Sequence, residues 1–317
     1  MIVVNILILI VLVLIALLLA AHLWTRKTAS TAEKMVPQAG EIVPVSGGSI
    51  HYQTFGPENG RPVVLIHGLS GQMQHCTYGL TAELSDEFRL FVLDRPGCGY
   101  STREATRLGE LPEQARMIWE ALDKLNVKQP LLVGHSLGGA VSLAMALERP
   151  DAVTGLALLC PATMPQTTVP DMFKGLEVRT NWLRKFIGHT IAVPTAVATR
   201  DKVLGAVSYP EPIPDDFMIR AGGQLGFRPI AFVTASEDLL GYEATMEAQA
   251  ARYGELTMPR GLLFGSDDAV LSPDEHGKPL QQFGFVYEEL PGLGHMFPLS
   301  EPKLTADFIR RIAAQVK

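Results

Sequence analysis

A serine projecting from a tight strand-to-helix turn can act as a nucleophile, and Gly134-His135-Ser136-Leu137-Gly138 has the sequence of such a turn. The apolar run Leu131–Val133 precedes it, and a helical pattern, Gly139–Leu147, follows. Gly134 and Gly138 leave room for the two elements to approach. The helix start offers free N–H groups and a positive dipole end to a developing oxyanion. A hydroxyl is a weak nucleophile at neutral pH and needs a base, which in turn needs a carboxylate to hold its tautomer. Of the eight histidines, His295 has the fitting setting, in the loop Pro291-Gly292-Leu293-Gly294-His295 directly after the last strand pattern. His22 lies in an apolar N-terminal stretch, and His135, beside the serine, cannot easily turn back onto it. His51, His75, His189 and His276 read as surface or packing residues.

For the carboxylate, Gly265-Ser266-Asp267-Asp268 follows the strand pattern Leu262–Phe264. Successive side chains diverge, so only one aspartate can face the histidine. Asp268 is preferred, Asp267 is the alternative, and a plain turn or capping role for Asp268 is the bland reading. An oxyanion hole needs two N–H donors aimed at one point. Leu137, after the nucleophile, is one. Leu69 is the other, in the loop His67-Gly68-Leu69-Ser70-Gly71, where Gly68 allows a close backbone approach and His67 reads as a structural residue of the turn.

The elements that must position these residues follow from hydropathy. Glu41–Val45 and Ser49–Thr54 read as a hairpin hinged at Gly47-Gly48. The continuous apolar run Pro62–Ile66 fits a strand buried on both faces, and Arg89–Leu93, Pro130–Val133, Val153–Leu159, Arg260–Phe264 and Phe285–Leu290 read as further strands. Helical patterns at Leu111–Leu125, Gly139–Leu147 and Leu304–Ala314 lie between or after them. Alternation of this kind predicts an α/β fold, with right-handed crossovers and a mostly parallel, doubly wound sheet. The rhythm breaks between Pro161 and Met258, where Trp182, Phe186, Met218, Phe227 and Phe232 stand at largely helical spacings. This predicts a helical cap, residues 161–257, inserted into a core of 41–160 and 258–317 and standing over the strands' carboxyl ends.

Together, Ile66-His67-Gly68, Leu93-Asp94-Arg95-Pro96-Gly97-Cys98-Gly99-Tyr100-Ser101, Gly134-His135-Ser136-Leu137-Gly138-Gly139, Gly265-Ser266-Asp267-Asp268 and Gly294-His295 resemble the α/β-hydrolase superfamily over roughly residues 41 to 317. The chain order Ser136, Asp268, His295 is the order of that superfamily. The resemblance implies a nucleophile elbow at Ser136, a Ser-His-Asp triad with Asp268 and His295, and backbone donors at Leu69 and Leu137. It also implies that the cap sets substrate choice. Two departures are informative. The oxyanion loop is short, unlike the His-Gly-Gly-Gly form of some lipases and esterases. Position 136 is Ser, not the Asp of the haloalkane dehalogenase and epoxide hydrolase branches. Some relatives place the acid after the sixth strand, where this chain has Cys160-Pro161.

From Ile2 to Trp24 no side chain is charged, and these 23 residues would span roughly 34 Å as a helix, enough to cross a bilayer. No Lys or Arg precedes the run and it is long for a signal peptide, so residues 2–24 read as a retained transmembrane anchor rather than a cleaved signal. Residues 25–40 are small and polar, and read as a tether. Arg26, Lys27 and Lys34 after the span favour a cytoplasmic catalytic domain, with a periplasmic or luminal one as the alternative. The three cysteines, Cys76, Cys98 and Cys160, form no regular disulfide framework, which agrees. A formal charge of −6, from 27 Lys+Arg and 33 Asp+Glu, argues against nucleic acid as a partner. No metal-ligand spacing and no Gly-rich phosphate motif is present, so neither metal nor cofactor is expected.

These residues predict a membrane-anchored serine hydrolase of carboxylic esters, lipophilic acyl esters in particular, similar to membrane-anchored esterases and monoacylglycerol lipases. The substrate is expected to be a small lipophilic ester, and the bilayer a partner through residues 2–24. The alternatives are a carbon–carbon bond hydrolase or perhydrolase using the same triad, and a non-catalytic, membrane-tethered binding module.

Overall fold

In the computed structural model, which describes residues 1–166 and 168–316, the expected hairpin forms from β1 (Glu41–Val45) and β2 (Gly48–Phe55). Its turn needs glycine, because Gly47 and Gly48 hold φ of +94° and +153°. The remaining strands are β3 (Arg61–Ile66), β4 (Phe88–Leu93), the two-residue β5 (Thr102–Arg103), β6 (Leu131–His135), β7 (Gly155–Leu159), β8 (Arg260–Gly265) and β9 (Val286–Leu290). They form one sheet in the order β1-β2-β4-β3-β6-β7-β8-β9, with β5 paired to β2. From β4 to β9 every pairing is parallel; β1 and β2 add an antiparallel edge. Apart from β5, too short to show in a hydropathy pattern, each strand falls where the sequence places one, including the more exposed edge strand β9 with its Glu288 and Glu289.

Both faces of the sheet are covered, which explains runs without polar alternation. Val63, Val64, Leu65 and Ile66 are all fully buried, as are Leu131, Leu132, Leu156 and Leu158. Each such side chain stabilises the core by roughly 1.5 to 3 kcal/mol. An α/β-hydrolase fold results, and the helices obey the same logic. After the N-terminal α1 (Ile2–Met35), α2 (Leu111–Lys124) buries Leu111, Ala115, Ile118, Trp119 and Leu122 along one stripe. In α3 (Leu137–Glu148) every residue from Leu137 to Leu147 is buried, which suits a helix covered all round.

Between β7 and β8 lie the inserted cap helices: α4 (Asn181–Ile187), α5 (Val193–Ser208) and α6 (Pro229–Ala250), with a wider turn at Gly188–Ala192 joining the first two. Thr167 of the expected cap, and Lys317, lie outside the described residues. The closing α7 (Pro302–Ala313) starts on a proline, buries Phe308, Ile309 and Ile312, and carries Arg310 and Arg311 in its last turn, where cations suit the helix dipole.

One expectation fails. Residues 25–35 are not a tether: α1 continues unbroken from Ile2 to Met35. Its second half lies on the cap, with Thr25 and Ala32 buried, the Thr25 hydroxyl donating to the Thr190 carbonyl at 3.4 Å, and the His22 ring bonded to the His189 carbonyl at 3.0 Å. Beyond it, the Tyr100 hydroxyl donates to the Val36 carbonyl at 2.6 Å and the His51 ring to the Ala39 carbonyl at 2.6 Å. Small side chains at 25, 29 and 32 let the helix seat closely, and packing gives this polar stretch an order its composition did not advertise.

Candidate active site

The parallel strands end on one edge of the sheet, and every candidate residue follows one of those ends: Gly68 and Leu69 after β3, Ser136 after β6, Asp268 after β8, His295 after β9. Ser136 has φ 54° and ψ −122°, a conformation costly for a side chain with a Cβ, of order 1–3 kcal/mol. The surroundings hold it there. Its N–H donates to Leu159 at 3.0 Å, and its carbonyl accepts from Gly139 at 2.9 Å and Ala162 at 3.0 Å. The flanking glycines are sterically required: a Cβ at Gly134 would overlap the Gly138 carbonyl, and one at Gly138 the Ile66 carbonyl.

Asp268 and His295 meet in a 2.7 Å hydrogen bond, Nδ1 donating to Oδ2. The other carboxylate oxygen of Asp268 accepts from the Val270 and Leu271 N–H groups at 2.8 and 2.9 Å. Burial pushes the Asp268 carboxyl up, but the charge and hydrogen bond of His295 and those two N–H donors outweigh it and hold the pKa below the ordinary 3.8. Asp267 is exposed and accepts from its neighbour Ser266 at 2.8 Å, away from the ring. With Nδ1 engaged, Nε2 of His295 is left to take a proton. His295 and Ser136 line the same cavity; among the described residues no hydrogen bond joins the serine hydroxyl to the ring, and such bonds commonly close only around bound substrate.

Gly68 abuts the serine, since a Cβ there would stand 2.9 Å from Ser136 Cβ and 3.3 Å from Oγ. Leu69 therefore follows directly beside the hydroxyl, and Leu137, as first residue of α3, has no carbonyl one turn back to bind its N–H. His67 is a strut: its Nε2 accepts from the Arg95 N–H at 3.0 Å and its Nδ1 donates to the Gly68 carbonyl at 2.9 Å. Burial, then the Arg95 charge, hold it well below the ordinary histidine range. His135 lies against His295, with ring centroids 4.9 Å apart and planes tilted by 44°, and donates from Nε2 to its carbonyl at 3.0 Å; burial lowers its pKa to about 3, so it stays neutral.

Three contributors were not anticipated. The Arg95 side chain, fully buried, donates to the His67 carbonyl at 3.0 Å, the Gly68 carbonyl at 2.9 Å, Gln114 at 2.8 Å and Asp238 of α6 at 2.6 Å. Asp238 also binds Arg103 at 2.6 Å, and Glu237 binds Arg103 at 3.0 Å and Arg184 at 3.2 Å. The cap is thus clamped to the loop that carries Leu69. Arg95 stood in a turn already singled out, but nothing in an apolar helix marks Asp238 as its partner. Second, His75 is not a surface residue: it lines the cavity, and burial lowers its pKa to about 4. Buried His51 and His276 are packing residues, His51 bonded to Asp94 at 2.7 Å and His276 accepting from the Thr163 N–H at 3.1 Å.

Third, Cys160 brings its sulfur within 4.8 Å of both the Asp268 carboxylate and the His295 ring, the only such trio of metal-ligating type among the described residues. Burial and the neighbouring Asp268 push the thiol well up, away from the thiolate a metal would need, and Asp268 and His295 already occupy each other. The trio reads as part of the hydrogen-bonded site.

Ser136, His295, Gly68 and Leu69 floor a cavity of about 440 Å³ whose walls come largely from apolar cap side chains, among them Phe173, Ile187, Val203, Leu204 and Phe232. The arrangement can bring a carbonyl with an apolar substituent to a serine, between two N–H donors and under an aspartate-bound imidazole.

Comparison with known proteins agrees with this architecture. A dihydrolipoyllysine-residue acetyltransferase component of the acetoin cleaving system, from Pseudomonas putida, is 33% identical over 153 residues, 48% of this chain but only 40% of that protein. The chain thus spans less than half of that relative. A probable esterase of Oryza sativa is 30% identical over 289 residues, covering 81% of this chain and 98% of the relative. Among solved structures, a bacterial membrane phospholipase A superposes with a TM-score of 0.70 at 18% identity, over 99% of this chain and 98% of that one. Residues 61–302 match the family model described as alpha/beta hydrolase fold, and the chain belongs to that family.

Proposed function

We propose that the protein is a membrane-anchored serine hydrolase of carboxylic esters with lipophilic acyl groups. Ser136 attacks the ester carbonyl, and His295 takes its proton through Nε2 and returns it to the leaving alcohol. Asp268 holds the tautomer and stabilises the imidazolium. The Leu69 and Leu137 N–H groups bind the tetrahedral oxyanion, each donor worth about 3 kcal/mol. Water then releases the acyl group by the same route. The observation that carries this reading is the 2.7 Å Asp268–His295 hydrogen bond on the rim of a cavity shared with a strained Ser136.

The apolar cavity and the apolar N-terminal helix support the lipophilic preference, since each acyl methylene transferred from water contributes about 0.8 kcal/mol. The length of the uncharged run, with no Lys or Arg before it, supports a retained anchor over a cleaved signal. Similarity to a probable esterase and to a membrane phospholipase A fits the same class. The dehalogenase and epoxide hydrolase chemistries of other family members use a carboxylate nucleophile, and position 136 holds serine. Full-length protein is expected to hydrolyse p-nitrophenyl acyl esters, with Ser136→Ala lowering turnover roughly a thousandfold or more. Unchanged turnover in that variant would remove the assignment.

A further inference from the structure

We propose that the cap itself docks on the bilayer that α1 spans, through Trp182, Phe186 and Ile191 and the cationic side chains beside them, so that acyl substrate passes from an anionic phospholipid leaflet directly into the cavity. The inference rests on the reading of α1 as a retained anchor. Its first support is level. From Ile2 to Ala21, α1 rises about 30 Å at 1.5 Å per residue, the thickness of a hydrocarbon core, so His22, the polar residue that follows, stands at the membrane surface. There the cap is already in contact, with His22 on the His189 carbonyl and Thr25 on the Thr190 carbonyl. Cap residues 189–190 are therefore held at headgroup depth by the helix.

The second support is what the cap exposes at that depth. Ile191 directly follows these contacts and is 50% exposed; Phe186 and Trp182, one helical turn apart on α4, are 43% and 71% exposed. Large apolar side chains in water are costly, and tryptophan is the residue enriched where hydrocarbon meets headgroups. The third is charge. Lys185 lies between Trp182 and Phe186, and Arg26 and Lys27 lie one turn beyond His22; all three are exposed and make no ion pair with the described residues. No acid occurs between Glu177 and Asp201, although the whole chain carries −6. A local positive band on an acidic protein complements anionic lipid. The fourth is the cavity's rim. Ile191 and Thr195 are both exposed and both wall residues of the cavity above Ser136, so it opens beside α1 and next to the apolar face.

The test uses the full chain in vesicles of phosphatidylcholine mixed with phosphatidylglycerol. A Trp24→Phe background leaves Trp182 and the buried Trp119, and bromines placed near the lipid headgroups should quench Trp182 strongly. In otherwise native protein, Trp182→Ala with Phe186→Ser should lower hydrolysis of a long-chain ester carried in the vesicles roughly tenfold, while a soluble short-chain ester turns over at the native rate. Vesicles of phosphatidylcholine alone should give slower hydrolysis of the embedded ester. Protein that floats with the vesicles while Trp182 stays unquenched overturns the cap contact and leaves the anchor standing; if it is also cross-linked as a dimer, the face belongs to a second copy. Equal loss on both esters also overturns it, and equal rates in the two lipid mixtures overturn the preference for anionic lipid. Protein that does not float overturns anchor and cap contact together.

Discussion

At the scale of single residues, the two adjacent aspartates were the hardest choice, and the surroundings separate them. Asp268 is buried, receives two backbone N–H groups and binds His295; Asp267 is exposed and bonded to Ser266. Asp268→Asn is therefore expected to lower kcat for esters by roughly 10³ to 10⁴, through loss of the tautomer-holding carboxylate. Asp267→Asn should leave kcat within about twofold, because surface substitutions away from such features change little. Parallel steady-state kinetics of the two variants check this, and an equal fall in both would remove the distinction. The sequence marked Ser136 and His295 through their glycine-rich turns. It could only narrow the acid to a pair, since which of two successive side chains faces inward depends on how the loop closes.

The elements show a similar division. Strands β3, β6, β7 and β8 were legible because burial on both faces forces continuous apolar runs, and α2 and α7 because one-sided burial forces a periodic stripe. Residues 25–35 were misread because their order comes from Thr25 and Ala32 seating on the cap, a long-range contact that leaves no local pattern. The clamp between the cap and the Gly68–Leu69 loop was invisible for the same reason: Arg95 and Asp238 are 143 positions apart. Removing one member of a buried charge network leaves the others unpaired, so Asp238→Ala should destabilise the protein by roughly 3 to 5 kcal/mol, measured as a shift in urea midpoint. In protein that remains folded, kcat should fall more than KM rises, because the Gly68 and Leu69 backbone loses its support. An Asp238→Ala protein of native stability and native kcat would show that the clamp does not hold the loop.

The molecule as a whole carries several histidines that burial keeps neutral: His75 and His276 at about 4 and His135 at about 3, against an ordinary 6.5. Below pH 6.5 the unfolded chain binds protons at these positions while the folded chain does not. Stability therefore falls as pH drops from about 6.5 toward about 4, by up to about 1.4 kcal/mol per unit for each such histidine. Asp268 acts in the same sense at lower pH, since its lowered pKa keeps its contribution intact above the ordinary 3.8 and that contribution is lost as pH falls further. Urea midpoints between pH 7 and pH 4 should decline steadily, and His276→Gln, outside the proposed triad, should flatten the slope. A flat native profile would show that these rings protonate in the folded state.

Whether Ser136 is an activated nucleophile is tested most directly by reacting the folded, full-length protein with a fluorophosphonate and mapping the adduct by mass spectrometry. The account predicts one adduct per chain, on Ser136, formed far more slowly after His295→Ala and absent after Ser136→Ala. An unlabelled native protein, or labelling that survives Ser136→Ala, would contradict it.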